Sequence, residues 1–239
     1  LCFTIFCVMD KKFDKQLGAD AAQGESEEEF KLADVVNIFK SKLFWIVAML
    51  CVLYYSAIFP FQRYAPDFLD KTLDITNGSQ LFSCFPILAM FLTPVLGAFI
   101  DRKGKAASML MVGSLIMIAC HLSFAFLLPM FPSKVFAVAI IAILGVSFSL
   151  VPAALWPSVP KIIDERILGS AYCVIFWIQN WGLLLVPVVI GKALDATGGY
   201  TVPMIIFSSF GVFALLIGFM LKHEDKKKGY GLELPNIKE

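Results

Sequence analysis

Six runs without a single Asp, Glu, Lys or Arg dominate this chain: residues 43–62, 75–100, 106–133, 135–160, 167–191 and 200–221. About 20 residues of helix cross the hydrocarbon core of a bilayer, so every run is long enough. In lipid an unpaired backbone group costs several kcal/mol, which leaves helices and closed barrels as the only spanning structures. Barrel strands would alternate in polarity every second residue, and these runs do not. The sequence therefore predicts an all-α polytopic membrane protein, a six-helix bundle. With 59% apolar and 16% charged residues, the composition also departs from the soluble norm of roughly 45 to 50% apolar.

Charge fixes the expected orientation and domains. Residues 1–9 are apolar but too short to cross, and read as the end of a preceding span. Residues 10–42 form a linker that carries Glu25, Glu27, Glu28, Glu29 and six lysines. Ser26 and Glu29 have capping-box spacing. They precede an amphipathic set, Leu32, Val35, Val36, Phe39 and Leu43, expected to lie along the membrane surface. The bundle then occupies 43–221 and a tail 222–239. On alternating sides, sixteen of the twenty cations fall with the linker, the 101–105 turn, the 161–166 turn and the tail, against Arg63, Lys71, Lys134 and Lys192 opposite. Positive charge marks the cytoplasmic face, which places the linker and the C-terminus inside. Basic residues sit at span ends and not in a patch with interleaved aromatics, so nucleic acid is excluded as a partner.

A repeated pattern follows. Gly97, Asp101 and Gly104 recur as Gly191, Asp195 and Gly198, each set after a span containing a proline. Glycine permits close helix approach at the first position and a tight turn at the last. The charge rule puts the two copies on opposite faces, so helices one to three and four to six are expected to form a 3+3 inverted repeat.

These features resemble one half of a major facilitator superfamily transporter, the carboxyl-terminal one. Its loop signature G-x-x-x-D-R-x-G-[KR] is matched by Gly97, Asp101, Arg102, Gly104 and Lys105, and its E-R-x-x-G-x-A signature by Glu165, Arg166, Gly169 and Ala171. Phe59-Pro60-Phe61, Ala154-Leu155-Trp156-Pro157 and Gln179-Asn180-Trp181-Gly182 look most like the branch of the lysosomal dipeptide transporter and its microbial relatives. The resemblance implies alternating access, a lipid bilayer, a small-molecule or peptide substrate and an N-terminal six-helix half missing from this chain. It also implies that the first and fourth helices of the half line the cavity. The expected membrane is the bacterial cytoplasmic one, with an endolysosomal membrane as the alternative.

Candidate site residues come from helical spacing. Tyr55, Phe59 and Arg63 share a face at i, i+4 and i+8. Arg63 offers a planar fork to a carboxylate, or else snorkels to the interface. Ser149 and Trp156 lie on a second stripe with Gly145 and Pro152, as pore lining or as packing. Tyr172, Phe176 and Gln179 form a third, with Asn180 beside it; a mid-span amide pair is costly against lipid and serves either interhelical bonding or substrate. Gly97, Asp101, Arg102, Gly104, Lys105, Glu165 and Arg166 are expected to gate, with Asp101 meeting a helix amino terminus across the interface between halves. His121 reads as a packed histidine more than as a proton relay. No nucleophile elbow or carboxylate pair appears, so no enzyme is expected. The six cysteines lie singly, without a C-x-x-C pair, and no metal or cofactor is expected. The function indicated is secondary transport of a small polar solute, dipeptides foremost. Carriers of sugars, organic anions or drugs, and a scaffold or sensor that does not transport, stand as alternatives.

Overall fold

The computed structural model describes residues 36, 38–164 and 167–237. Ser41 caps the first span, its Oγ accepting from the Phe44 amide at 3.4 Å, an arrangement that satisfies an amide left free by the helix start. Six helices long and apolar enough to cross a membrane follow among the described residues: α1 Lys42–Leu73, α2 Gly78–Lys103, α3 Ala106–Met130, α4 Lys134–Ile162, α5 Leu168–Thr197 and α6 Thr201–Lys228. Each uncharged run of the sequence falls essentially within one of them. The Ser26–Glu29 capping box, Leu32 and Val35 lie outside the described residues.

Helix continues past the end of three of the uncharged runs. Residues 64–73 continue α1 through Pro66, residues 192–197 continue α5, and 222–228 continue α6. Charge ends a hydrophobic run but not a helix: once the chain leaves lipid, water solvates the side chains and the backbone ladder carries on. Lys71 and Asp67, one turn apart, pair at 2.8 Å on this extension. Tyr200 donates its hydroxyl to Asp67 from the start of α6, and burial together with the Asp67 carboxylate raises its pKa above the usual phenol value. The helix stops are local. Asp74 and Gly198 close α1 and α5 in the left-handed region, φ 51° and 65°, the second being the glycine turn expected there.

α1 and α4 are the most buried helices, and α2 and α5 the least. α1 packs on α5 and α6, α4 packs on α2 and α3, α3 packs on α6, and α1 crosses α4. Polar anchors set this core. Tyr54 of α1 donates to the Leu110 carbonyl of α3 and lies 2.6 Å from the Ser114 hydroxyl, and Ser147 of α4 donates to the Gly113 carbonyl at 2.7 Å. Both bonds give a buried hydroxyl the partner that lipid cannot offer. Close approach sets the α1–α5 crossing: a Cβ on Gly182 would collide with Ser56 Oγ and come within 2.9 Å of Val52 Cγ1. His121 is buried between Phe61 and Phe207, ring centroids 5.0 and 5.4 Å away, with neither nitrogen hydrogen-bonded. It sits as the packed residue, just before a π-helical turn at Ser123–Leu127.

Candidate functional site

An aromatic wall joins α1, α4 and α5. Tyr55 and Phe59, one turn apart, stack at 5.4 Å, and Phe148 of α4 sets its edge against both, at 6.5 and 6.0 Å. Trp156 closes the wall. Its indole Nε1 donates to the Tyr55 hydroxyl at 2.9 Å, its ring stacks on Phe176 of α5 at 4.9 Å, and its carbonyl accepts from the Tyr172 hydroxyl at 3.1 Å. Alongside runs an open cleft of about 550 Å³ between α1, α2 and α4, lined by Phe59, Gln62, Phe85, Ala89, Thr93 and Phe148 among others. Such a surface suits apolar groups while presenting few, fixed polar ones.

The expected stripe on α4 is displaced. Ser149 is fully buried, its hydroxyl donating to the Gly145 carbonyl at 2.9 Å and lying 3.5 Å from the Ala89 carbonyl of α2. It packs between helices, and its neighbour Phe148 faces the cleft instead. Sequence spacing overlooked Phe148 because an aromatic within an apolar run carries no periodic signal. Gln179 is also buried, where its carbonyl accepts from Cys51 Sγ at 3.3 Å and ties α5 to α1. Asn180 is exposed, with Nδ2 donating to the Phe176 carbonyl at 2.7 Å. Arg63 is exposed one turn beyond Phe59.

At one end of the bundle lies the Asp101–Lys105 turn. Gly104 sits at φ 72° and Lys105 at φ 64°, which explains a glycine at the first of them. Asp101 meets residues of this same chain: its Oδ1 accepts from Asn236 Nδ2 at 2.6 Å, and its carbonyl accepts from the Asn236 and Ile237 amides at 2.8 and 3.1 Å. Gly97 was expected to admit a neighbouring helix, yet a Cβ there would meet nothing within 4 Å. Arg102 is exposed. Glu165 and Arg166 lie outside the described residues. Lys42 at the start of α1 pairs with Glu224 near the end of α6 at 2.5 Å, and Lys222 reaches Ser108 at 2.7 Å. The start of α1, the α2–α3 turn and the end of α6 therefore share one end of the bundle, while Lys71 and Tyr200 meet at the other.

Against known proteins, the sequence profile of the Major Facilitator Superfamily matches residues 2–187. The lysosomal dipeptide transporter MFSD1 of Gallus gallus is 31% identical over 227 residues, which are 93% of this chain and 49% of that protein. Its counterpart in Danio rerio is 31% identical over 236 residues, 98% and 49%, and that of Homo sapiens 28% over 202 residues, 83% and 41%. The chain spans about half the length of the curated relatives it matches. A family profile covering most of the chain, together with six apolar helices and the G-x-x-x-D-R-x-G-K turn, leads to one assignment: this chain is a multi-pass membrane protein that belongs to the Major Facilitator Superfamily.

Proposed function

We propose that this bundle is one half of a secondary transporter that moves small polar solutes, dipeptides foremost, by alternating access between two six-helix halves. The aromatic wall from Tyr55 to Trp156 carries the reading, because it places amphipathic rings of α1 and α4 beside an open cleft. The relatives, named as dipeptide transporters, supply the solute class. The site we propose comprises Tyr55, Phe59, Phe148 and Trp156, with Asn180 and Arg63 at its edges. Ser149 and Gln179 support the wall from behind. Asp101, Arg102, Gly104 and Lys105 form the gate, with Glu165 and Arg166 as its second element. Exchanging α1 with α4, α2 with α5 and α3 with α6 carries the main helix contacts, α1 on α5 and α6, α4 on α2 and α3, and α3 on α6, into one another, and this supports a 3+3 inverted repeat. The relatives' name as lysosomal transporters favours an endolysosomal membrane over a bacterial cytoplasmic one.

The test is uptake by the full-length protein in proteoliposomes. A labelled dipeptide should enter saturably and be displaced by unlabelled dipeptide; no uptake above protein-free vesicles refutes the proposal. Arg63 refines it. Arg63→Lys keeps the charge and loses the fork, so transport of the free acid should fall about tenfold or more, as expected for a lost charge-assisted hydrogen bond, while the carboxyl amide changes little. Equal behaviour of acid and amide removes Arg63 from the site.

Orientation is tested separately. The end bearing Asp101 is proposed to be cytoplasmic, on the cation asymmetry. With the protein routed to the surface of intact cells, single cysteines at Ser108 and Lys226, in a cysteine-free background, should react with an impermeant reagent only after permeabilisation, and one at Thr197 without it. Labelling of Lys226 and Thr197 from the same side contradicts that topology.

A further inference from the structure

Residues 229–237 turn back from α6 and lie across the ends of three other helices. The amino end of α3 has no side-chain cap of its own, and its free donors go to this segment. The Lys105 and Ala106 amides donate to the carbonyls of Glu233 and Leu232, both at 3.1 Å. The Ser108 amide and hydroxyl donate to the Glu233 carboxylate at 2.9 and 2.8 Å, which also satisfies the preference of a helix amino end for negative charge. At the end of α4, Lys161 Nζ donates to the carbonyls of Gly231 and Leu234, each at 3.0 Å. Asn236 holds Asp101 at the end of α2. The segment is anchored at its root by Leu232, whose side chain is fully buried and whose amide donates to Asp225 at 3.0 Å. Gly104 belongs to the same contact: a Cβ there would lie 2.5 Å from the Glu233 carbonyl and 2.6 Å from the Leu234 backbone. The signature glycine thus serves as the floor on which this segment lies, in addition to making the turn.

The residue the segment occupies is the gate aspartate. If Asp101 closes this end by meeting the other half, as proposed above and on which this inference rests, the docked segment stands where that partner must come. Most of its bonds lie at the aqueous end, where water replaces them and the net gain of each is small; only Leu232 leaves an apolar pocket. Such a contact is strong enough to form and weak enough to release. We infer that residues 229–237 are a releasable latch: docked, they occupy Asp101 and keep this end open; released, they free Asp101 to close it.

The experiment uses the full-length protein in inside-out vesicles, with a single cysteine at the cleft position Thr93 in a background that still transports. Leu232→Asp and Asn236→Ala should each lower the rate at which an impermeant thiol reagent reaches that cysteine from the Asp101 side by about threefold or more, the size of a modest population shift. A bifunctional thiol reagent joining Ser108→Cys to Glu233→Cys should do the reverse, keeping labelling fast and stopping transport. Unchanged labelling in the latch variants, a general rise in labelling with a lower melting temperature, or a cross-linked protein that transports normally would each overturn the latch. Asp101→Asn separates the two readings. Normal transport by that variant refutes the gate beneath the inference, whereas impaired transport with no effect of Asn236→Ala on labelling refutes the latch alone.

Discussion

Gly182→Leu should leave little folded protein. At this position α5 crosses α1 so closely that even one added carbon meets Ser56 Oγ and Val52 Cγ1, and a leucine adds three more. Overpacking of a filled interior costs about 1 to 3 kcal/mol, and within lipid the helices gain nothing from an apolar surface once forced apart, because acyl chains are as apolar as leucine. The measurement is the monodisperse fraction in detergent together with the melting temperature; a wild-type profile would show that the crossing is looser than described. Gly182→Ala allows a cleaner quantity. Ser56 Oγ is buried and has no hydrogen-bond partner, so Ser56→Ala alone should be nearly neutral. Combined with Val52→Ala it should recover much of the loss caused by Gly182→Ala, because the next obstacle is then the residue 56 Cβ at 3.8 Å. Additive losses in the triple variant would mean that space at this crossing is not what Gly182 provides.

Trp156→Ala is expected to abolish most transport. The substitution removes the stack on Phe176, the edge contact with Tyr55 and the donor to the Tyr55 hydroxyl together, and truncation of a well-packed tryptophan costs about 3 to 5 kcal/mol. Part of that loss falls on stability, so uptake per folded molecule is the quantity to compare, with a fall of more than about tenfold expected, equivalent to about 1.4 kcal/mol. Trp156→Phe keeps the stack and should be intermediate. Tyr55→Phe keeps both rings and removes only the hydroxyl, which tests the hydrogen bond by itself. Full transport by Trp156→Ala, at normal expression, would show that the wall is not the surface the solute meets.

How much of this was legible beforehand follows from the kind of signal each feature carries. The spans were readable because lipid imposes one rule on every residue of a crossing segment, and the run 135–160 obeys it from end to end. Helix ends were less so: α1 continues eleven residues past Gln62, since solvation of Arg63 and Asp67 does not interrupt a backbone ladder. Within the proposed site, Tyr55 and Trp156 were singled out from their helical spacing, and their hydrogen bond joins the two stripes. Ser149 and Gln179 were placed on the right helices but turned inward. A uniformly apolar helix gives no moment to say which face is which, and buried polar side chains look alike in sequence whether they serve a solute or a neighbouring helix. The contact between Asp101 and Asn236 was invisible for another reason. It links positions 135 residues apart through a short segment with no periodicity.

The ion pair between Lys42 and Glu224 has a topological meaning beyond its strength. The chain enters this bundle and leaves it at the same corner, so the path through six spans is nearly a closed ring. Domains whose ends adjoin tolerate being opened elsewhere or joined in series. A bundle of this kind suits use as a cassette: a linker of modest reach on that one face would suffice to join it to another bundle, and neither need be rethreaded.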